Sequence, residues 1–532
     1  MCLADIIDIS GQDEKEDKTM TEIPMIKNDH GIPTLYVKGE PFFALSGEVH
    51  NSSASSLEYM KEEVWPKLKG LNMNSVIVPV YWETIEPEKG NYQFGLVDAL
   101  IAQARENQMH LILLWFGLWK NSESMYVPGW MKKDTKRYFR VQKANKEPIE
   151  TISPLCRAAV EEDAAAFAAV MSHIRSADAE ESTVILMQVE NEIGLLGASR
   201  DYSAEAEAAF SEKIPQVLAE EFQKEGTWGE VFREDAEESF MAYYFAKAVE
   251  QVTAAGQDEY PIPCYTNAWL KQYPWYAGSY PSGGPVKEMH RIWKAVAPSL
   301  FTLAPDIYVP YAAQVMDEYS YEGNPLFVPE VRKDAVTASY CMYAFGRHHA
   351  VGYSPFGIED LGLPPEAIEK PPVEVMTALN IDPSAFDITG SREYLSSVYD
   401  FMNQVTPLYL KYRGTCHLRS YVRKSNTDYG TFFRFKKYEL EIAYSPLMSA
   451  KPLAAGMVYE LAEDKFLAAG MMSTLKFRVK DGENRKAGYI KVEDGRLING
   501  EWRPARILNG DEKMSLKFTD MVSCYYIELY KY

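Results

Sequence analysis

Residues 184–194 are Val-Ile-Leu-Met-Gln-Val-Glu-Asn-Glu-Ile-Gly, an apolar run that passes directly into acids and amides. Such a run indicates a strand that is buried on both faces, as in a parallel sheet. An unpaired carboxylate is strongly disfavoured away from water, so Asn191 and Glu192 are expected at the mouth of the strand. Residues 325–332, Pro-Leu-Phe-Val-Pro-Glu-Val-Arg, follow the same pattern and contain Glu330. We therefore predict that the fold brings Glu192 and Glu330 together.

The pattern of a buried strand followed by a helical segment recurs between residues 41 and 412, with an acidic, helix-prone insertion at about 200–256. Eight strands that alternate with helices and end in polar residues are typical of a (β/α)₈ barrel. A glycine-rich phosphate loop is missing from the sequence, which disfavours the Rossmann alternative. The candidate strands end near residues 51, 83, 117, 190, 269, 310, 331 and 356.

The two ends of the chain differ from this pattern. Residues 1–22 are polar and acidic and predict a disordered leader. Residues 23–412 are assigned to the barrel, and residues 413–532 contain short, turn-bounded strands typical of an antiparallel β domain. The predicted class is therefore α/β, a barrel followed by a smaller C-terminal β domain. No linker rich in Pro, Gly or Ser precedes the β domain, so we expect it to shield the barrel rather than act independently.

Composition argues against several functions. The formal net charge of −21 disfavours binding to nucleic acid. No apolar run reaches the about 20 residues that span a bilayer, and the first residues are too acidic for a signal peptide. The six cysteines are scattered, so we expect reduced thiols in the cytoplasm. No His, Cys or Asp cluster has metal-ligand spacing, so we expect neither metal nor cofactor. The sequence leaves a homo-oligomer open.

Carboxyl groups on strands four and seven would face each other over the barrel mouth, where catalytic groups of this fold lie. Such a pair suits glycoside hydrolysis, in which one carboxyl protonates the leaving oxygen and the other attacks or stabilises the anomeric carbon. The charge of Glu330 and partial burial should raise the pKa of Glu192. Arg332 beside Glu330 should make Glu330 the anion, although a purely structural ion pair between these two residues is an alternative.

Five blocks of the chain stand in the order typical of one known family, namely residues 47–51 (Gly-Glu-Val-His-Asn), 57–60, 68–74, 82–94 and 188–192. With these blocks the chain resembles glycoside hydrolase family 35, the β-galactosidases of clan A. The resemblance spans about residues 35–360, and residues 466–470 and 508–512 resemble the β domain of a bacterial subgroup. It implies a metal-independent, retaining, exo-acting enzyme that removes β-galactosyl residues from oligosaccharides such as plant-glycan fragments.

The resemblance also implies roles for individual residues. Glu192 would be the acid/base and Glu330 the nucleophile. Asn191 would bind the 2-hydroxyl of the sugar, and Glu86 the galactose hydroxyls. Further candidates stand at strand ends, where they would either line the pocket or pack the top of the barrel; these are Glu48, Asn51, Trp82, Trp115, Asn267 and Tyr308.

Two positions depart from the family pattern. The better-known members have His where this chain has Ile85, and Tyr where it has Asn51. These departures bear on the identity of the sugar more than on the reaction. An α-L-arabinopyranosidase or a β-fucosidase with the same machinery therefore stays open. A catalytically silent carbohydrate-binding barrel is a further alternative, against which the presence of both Glu192 and Glu330 argues.

Overall fold

The computed structural model describes residues 22–368, 372–378, 381–480 and 485–532. The predicted leader, residues 1–22, lies outside the described residues except for Glu22. The described chain begins with a three-stranded antiparallel sheet formed by Met25–Asp29, Ile32–Val37 and Glu40–Phe42. Among the helices described, none combines the length and the apolarity that crossing a membrane requires.

The predicted (β/α)₈ barrel is confirmed. Its eight parallel strands follow one another around the ring in chain order. The ring closes through Glu48, which bridges to Ile77 on one side and to Phe356 on the other. The strands are β1 (Ala44–Leu45), β2 (Ser75–Tyr81), β3 (His110–Lys120), β4 (Val184–Asn191), β5 (Cys264–Trp269), β6 (Leu300–Ile307), β7 (Phe327–Val331) and β8 (Gly352–Pro355).

The apolar runs of the sequence account for the central strands. Every residue of β2 and β4 is buried, as expected for strands covered by side chains on both faces. The sequence predicts strand six over residues 306–310, whereas β6 spans Leu300–Ile307. Pro305 stands inside this strand, and a proline in an apolar run argues against a central strand. The correction places Asp306 within the strand end and Tyr308 just beyond it.

Helices surround the barrel, and a group of helices between β4 and β5 forms the predicted insertion. The two long helices Arg157–Asp178 and Ala236–Glu259 pack closely, since a Cβ atom on Gly256 would lie 2.3 Å from the Phe167 ring. The α-helical segments are Leu57–Tyr59, Trp65–Leu68, Trp82–Ile85, Gly95–Glu106, Gly129–Lys133, Arg157–Asp178, Ala204–Ser211, Gln216–Phe222, Trp228–Phe232, Ala236–Glu259, His290–Val296, Ala312–Tyr319, Thr337–His348, Val373–Ala378, Ser391–Tyr412 and Gly510–Lys513, and a π-helical turn spans Met60–Val64.

The predicted antiparallel β domain follows the helix Ser391–Tyr412. Its described strands form a six-stranded and a four-stranded sheet around a separate apolar core that includes Phe466 and Phe477. The first sheet contains Leu418–Val422, Ala455–Ala462, Lys465–Met471, Ser523–Lys531, Ala487–Ile498 and Glu501–Ile507. The second contains Gly430–Arg434, Tyr438–Tyr444, Ser473–Val479 and Leu516–Phe518.

The β domain packs directly on the barrel helix Thr337–His348. A Cβ atom on Gly346 of that helix would lie 2.6 Å from the Ser420 hydroxyl, so the two backbones approach closely. The hydroxyl of Ser339 donates to the carbonyl of Leu453 at 2.9 Å. Buried apolar residues of the first sheet, among them Met457, belong to the same core as the barrel. This packing agrees with the expected shielding role, and the boundary at residue 412 stays a prediction.

Candidate active site

The fold brings the two predicted acids together at the carboxyl ends of their strands. Glu192 directly follows β4, and Glu330 is the fourth residue of β7. Both side chains are buried, and one carboxylate oxygen of each lies within 4.8 Å of the other. In retaining glycosidases the two carboxyl groups are about 5–5.5 Å apart, whereas inverting enzymes need about 6.5–9.5 Å to admit a water. The spacing therefore fits direct attack on the sugar.

Glu192 occupies a buried and strained position. Its backbone lies in the left-handed region (φ 46°), which residues other than glycine seldom adopt. Its N–H donates to Oδ1 of Asn267 at 2.9 Å, and the amide of Asn121 donates to its Oε2. Burial and then the charge of Glu330 raise the pKa of Glu192 to about 8, although nearby Lys120 lowers it. Glu192 therefore retains a proton at neutral pH, as a general acid must.

Glu330 has one oxygen held by the protein and one available. The hydroxyl of Tyr308 donates to Oε1, whereas Oε2 has no hydrogen-bond partner among the described residues. Arg332 does not serve Glu330 as predicted, because its guanidinium donates to Asp334 at 2.7 and 2.9 Å and to Asp382 at 3.0 Å. The hydroxyl of Tyr308, rather than an arginine, is therefore the group that holds the Glu330 carboxylate in place.

Two further acids, Glu48 and Asp306, are buried beside the pair. Burial raises the pKa of both carboxyl groups well above the usual range, and the charge of Glu330 raises it further. Both oxygens of Glu48 and Oδ1 of Asp306 lack hydrogen-bond partners in the described part of the chain. Lys120 is also buried and lowers the pKa values of Glu48, Asp306 and Glu192. Because so many acids share this region, they cannot all be ionised together.

A structural acid behind the site fixes the end of β3. The carboxyl oxygens of Glu190 accept the N–H groups of Leu118 at 3.0 Å and Trp119 at 2.6 Å. A Cβ atom on Gly117 would lie 2.6 Å from a carboxyl oxygen of Glu190, so this close approach needs glycine. The packing directs residues 120–121, a lysine and an asparagine, towards the site.

A cavity of about 250 Å³ opens over the two acids. Clefts for drug-sized ligands typically measure about 300–1,000 Å³, so this smaller space suits a single sugar ring. Aromatic side chains provide the apolar surface on which such a ring can stack. The cavity is lined by Asn51, Lys120, Asn121, Glu192, Trp269, Leu270, Gln272, Asp306, Tyr308, Val309, Glu330, Phe356, Ile381 and Phe386.

Four residues predicted from the sequence line this cavity, namely Glu192, Glu330, Asn51 and Tyr308. Asn51 contributes a buried Oδ1 that has no hydrogen-bond partner among the residues described. The structure thus supplies both a pair of acids and unpartnered polar atoms at one surface. Their individual roles stay predictions.

Three more predicted residues support the cavity from behind. Asn267 links two acids, since its Oδ1 accepts from the N–H of Glu192 and its Nδ2 donates to Asp306 at 2.6 Å. Asn191 accepts a hydrogen bond of 2.8 Å from Lys120, while its buried Nδ2 has no partner in the described residues. Glu48, at the closure of the barrel, has two unpartnered oxygens. Asn191 and Glu48 therefore carry buried, unpartnered polar atoms, and their binding of a sugar stays a prediction.

Glu86 and Trp82 are not among the residues that line the cavity. The indole N–H of Trp82 donates to Oε2 of Glu86 at 2.8 Å, and the N–H of Gly90 donates to Oε1 at 2.7 Å. Trp115 is likewise buried, and its indole donates to Asp163 at 2.8 Å. These contacts are structural. The expected binding of a sugar by Glu86 has no support from this geometry and stays a prediction.

Ten of the fourteen residues that line the cavity were not predicted from the sequence, among them Lys120, Asn121, Asp306 and Trp269. The first two follow an apolar run at residues 111–119, and this signal could have placed the end of strand three correctly. Asp306 lies inside β6, and the sequence predicted no role for it. Trp269 was placed at the end of strand five without a role.

Three of the acids are close enough to hold a metal ion. One oxygen from each of Glu192, Asp306 and Glu330 lies within 4.8 Å of the others. Oxygen ligands of this kind suit Mg²⁺, Ca²⁺ or Mn²⁺. The raised pKa values of Glu192 and Asp306 oppose cation binding, because a bound cation requires ionised ligands. The expectation of a metal-independent site stays a prediction.

A barrel with two facing acids at the ends of its fourth and seventh strands defines a site suited to glycoside hydrolysis. Residues 34–275 match the sequence model of the glycosyl hydrolases family 35, and this confirms the resemblance seen in the sequence. Residues 395–519 match a domain of unknown function, DUF5597. No curated protein matches the chain. The family match supports a glycosidase.

Similar solved structures include two β-galactosidases. That of Rahnella sp. R3 is 14% identical (TM-score 0.42), and that of Bacillus circulans sp. alkalophilus is 12% identical (TM-score 0.42). Each comparison covers 59% of this chain and 50% of the other, so the chain spans about half the length of these enzymes. The catalytic domain of a β-amylase from Paenibacillus polymyxa is 11% identical (TM-score 0.46), over 64% of this chain and 97% of that domain.

Proposed function

We propose that the protein is a retaining, exo-acting β-galactosidase that removes terminal galactosyl residues from oligosaccharides, plant-glycan fragments among them. The observation that carries this proposal is the separation of Glu192 and Glu330, whose nearest oxygens lie within 4.8 Å at the base of a small cavity. So short a separation supports the spacing of a retaining enzyme, about 5–5.5 Å, over the about 6.5–9.5 Å of an inverting one. The scattered cysteines favour a reducing compartment, so we place the enzyme in the cytoplasm.

The first chemical step uses the different environments of the two acids. Oε2 of Glu330, which no described residue holds, attacks the anomeric carbon and forms an ester with it. The bond from that carbon to the leaving oxygen breaks, and Glu192 transfers its proton to this oxygen. The leaving group departs as an alcohol. The raised pKa of Glu192 ensures that the proton is present at neutral pH.

The second step reverses these roles. Glu192, now a carboxylate, removes a proton from a water molecule, whose oxygen attacks the anomeric carbon. The ester bond to Glu330 breaks, which restores its carboxylate and releases the sugar with its original anomeric configuration. Tyr308 donates to Oε1 of Glu330 and can stabilise the carboxylate each time it re-forms.

One observation favours a different sugar for the same reaction. Both carboxyl oxygens of Glu86, the residue expected to bind galactose hydroxyls, are taken by Trp82 and Gly90. The position before it holds Ile85 in place of the usual histidine. An α-L-arabinopyranosidase or a β-fucosidase is therefore the second candidate.

A panel of nitrophenyl glycosides separates these candidates. We expect the highest kcat/KM for the β-galactoside, whereas a higher value for the α-L-arabinopyranoside or β-fucoside would assign the second function. Proton NMR of the first-formed product should show the retained anomer. Absence of turnover of every glycoside, with sugar binding intact, would instead identify the silent carbohydrate-binding barrel.

A further inference from the structure

A second, larger groove adjoins the catalytic cavity. It has a volume of about 990 Å³, and it shares Leu270, Gln272 and Val309 with the lining of the catalytic cavity. Leu270 and Gln272 lie one and three residues beyond the end of β5, and Val309 lies two residues beyond the end of β6. The groove therefore lies over β5 and β6, on the arc of the barrel that connects the strands of the two catalytic acids.

Exposed aromatic rings form one side of this groove. Tyr273 is 64% exposed, Trp275 55% and Tyr311 39%, although large aromatic side chains are usually well buried. All three line the groove together with Val315 of the helix Ala312–Tyr319. Grouped apolar exposure of this kind on a surface commonly marks a binding site.

The loop that carries Trp275 is tied down before any ligand binds. The N–H of Trp275 donates to the carbonyl of Gln272 at 2.9 Å. Lys271 forms an ion pair of 3.4 Å with Glu288, across the base of the loop. A platform that is already ordered loses little conformational entropy on binding.

The polar groups of the groove indicate a neutral ligand. Its charged residues are Lys271, Lys287, Glu288 and Glu318, whose formal charges cancel. Gln272 and Gln314 add side-chain amides that can both donate and accept hydrogen bonds. Aromatic faces beside amides and balanced charges suit the apolar faces and hydroxyl groups of uncharged sugars.

We propose that this groove is an aglycone-binding site, which holds the neutral sugar units on the leaving-group side of the scissile bond. The proposal rests on the function proposed above. The catalytic cavity has room for the terminal sugar, and the shared residues Leu270, Gln272 and Val309 form the path by which the rest of the chain leaves it. Trp275 and Tyr311 serve as stacking platforms, so the enzyme is specific for oligosaccharides rather than for small galactosides.

The test compares two substrates that differ only beyond the scissile bond. β-Galactosyl fluoride has no sugar in the groove, and a neutral oligosaccharide with terminal galactose fills it. Trp275→Ala and Tyr311→Ala should each lower kcat/KM for the oligosaccharide about tenfold and leave that for the fluoride within about twofold. Trp275→Phe, which keeps an aromatic ring, should retain most of the wild-type kcat/KM for the oligosaccharide. Tyr429→Ala, which removes a 75% exposed ring from the β domain, is the matched control.

Each result has one meaning. Unchanged oligosaccharide kinetics in both alanine variants would overturn the aglycone site. An equal loss on both substrates would also overturn it, because the fluoride reports on the catalytic centre and not on the groove. A wild-type protein that hydrolyses neither substrate would refute the proposed function instead. An oligosaccharide with a uronic acid next to galactose should be a poorer substrate than the neutral one. Preference for the acidic chain would contradict the choice of a neutral ligand.

Discussion

Two glutamates of one strand end, Glu190 and Glu192, are chemically identical and two residues apart, yet their surroundings differ. Both are buried, both have positive φ values, and burial raises the pKa of both. Glu190 accepts N–H groups of Leu118 and Trp119 with its two oxygens. Glu192 accepts from Asn121 and otherwise faces a cavity that also contains Glu330.

The difference shows how to separate a structural acid from a functional one. A buried carboxyl group whose oxygens are satisfied by the backbone stabilises the fold. Both glutamates lie beside a second acid, Asp163 for Glu190 and Glu330 for Glu192. A buried carboxyl group that faces an open cavity is maintained at a cost in stability, which function explains. Burial and a raised pKa alone do not distinguish the two.

The largest expected effect concerns Glu330. Glu330→Gln removes the nucleophile while keeping the shape, so kcat/KM for every substrate should fall by on the order of 10⁴-fold or more. Steady-state kinetics on an aryl galactoside measures this fall. Glu86→Gln makes the same chemical change outside the cavity wall, and its loss of kcat/KM should be far smaller. A Glu330→Gln enzyme that still turns over would remove Glu330 from the mechanism.

The second prediction compares the free energy of unfolding after removal of the structural acid, Glu190, and of the functional acid, Glu192. Glu190→Ala leaves the buried N–H of Trp119 unpaired, whereas the N–H of Leu118 still donates to Asp163 at 3.3 Å. The free energy of unfolding should therefore fall by about 1–3 kcal/mol. Glu192→Ala removes a carboxyl group crowded by Glu330, so it should leave stability at pH 9 unchanged or higher. Urea unfolding of both variants measures these changes. Equal destabilisation by the two would contradict the distinction.

The sequence was sufficient for the barrel, the order of its strands and the two central acids, because apolar runs that end in acids follow from the burial of a parallel sheet. It was insufficient for groups whose role depends on distant partners. Asn267 stood at a predicted strand end, but its contacts with Glu192 and Asp306 join residues 75 and 39 positions apart. The position of Asp306 inside β6 could not be predicted, because Pro305 before it argues against a central strand. The groove beside the cavity depends on loop exposure, which local patterns do not encode.

The third prediction follows from the pKa of Glu192, about 8 in the folded protein. Loss of its proton removes the general acid, so kcat/KM should fall above pH 8 for poor leaving groups. In Glu192→Ala this limb should vanish, with a loss of about 10²–10⁴-fold for poor leaving groups and much less for good ones. Since the folded state retains this proton between about pH 4.5 and 8, the contribution of Glu192 to stability is present at low pH and is lost as pH rises through 8. A pH profile that is identical in wild type and Glu192→Ala would contradict this assignment.

The smallest expected effect is that of metal removal. Glu192, Asp306 and Glu330 have the spacing of a cation site, but the raised pKa values of the first two keep protons where a metal would bind. Dialysis against EDTA should therefore leave kcat/KM within about twofold of its starting value, since a chelator reverses only metal-dependent activity. Added Mg²⁺, Ca²⁺ or Mn²⁺ should be equally ineffective at pH 6. Inhibition by these cations that grows as the pH rises through 8 would fit ionisation of Glu192. Loss of activity on chelation, with recovery on adding one cation, would make the three acids a metal centre and set aside the two-acid mechanism.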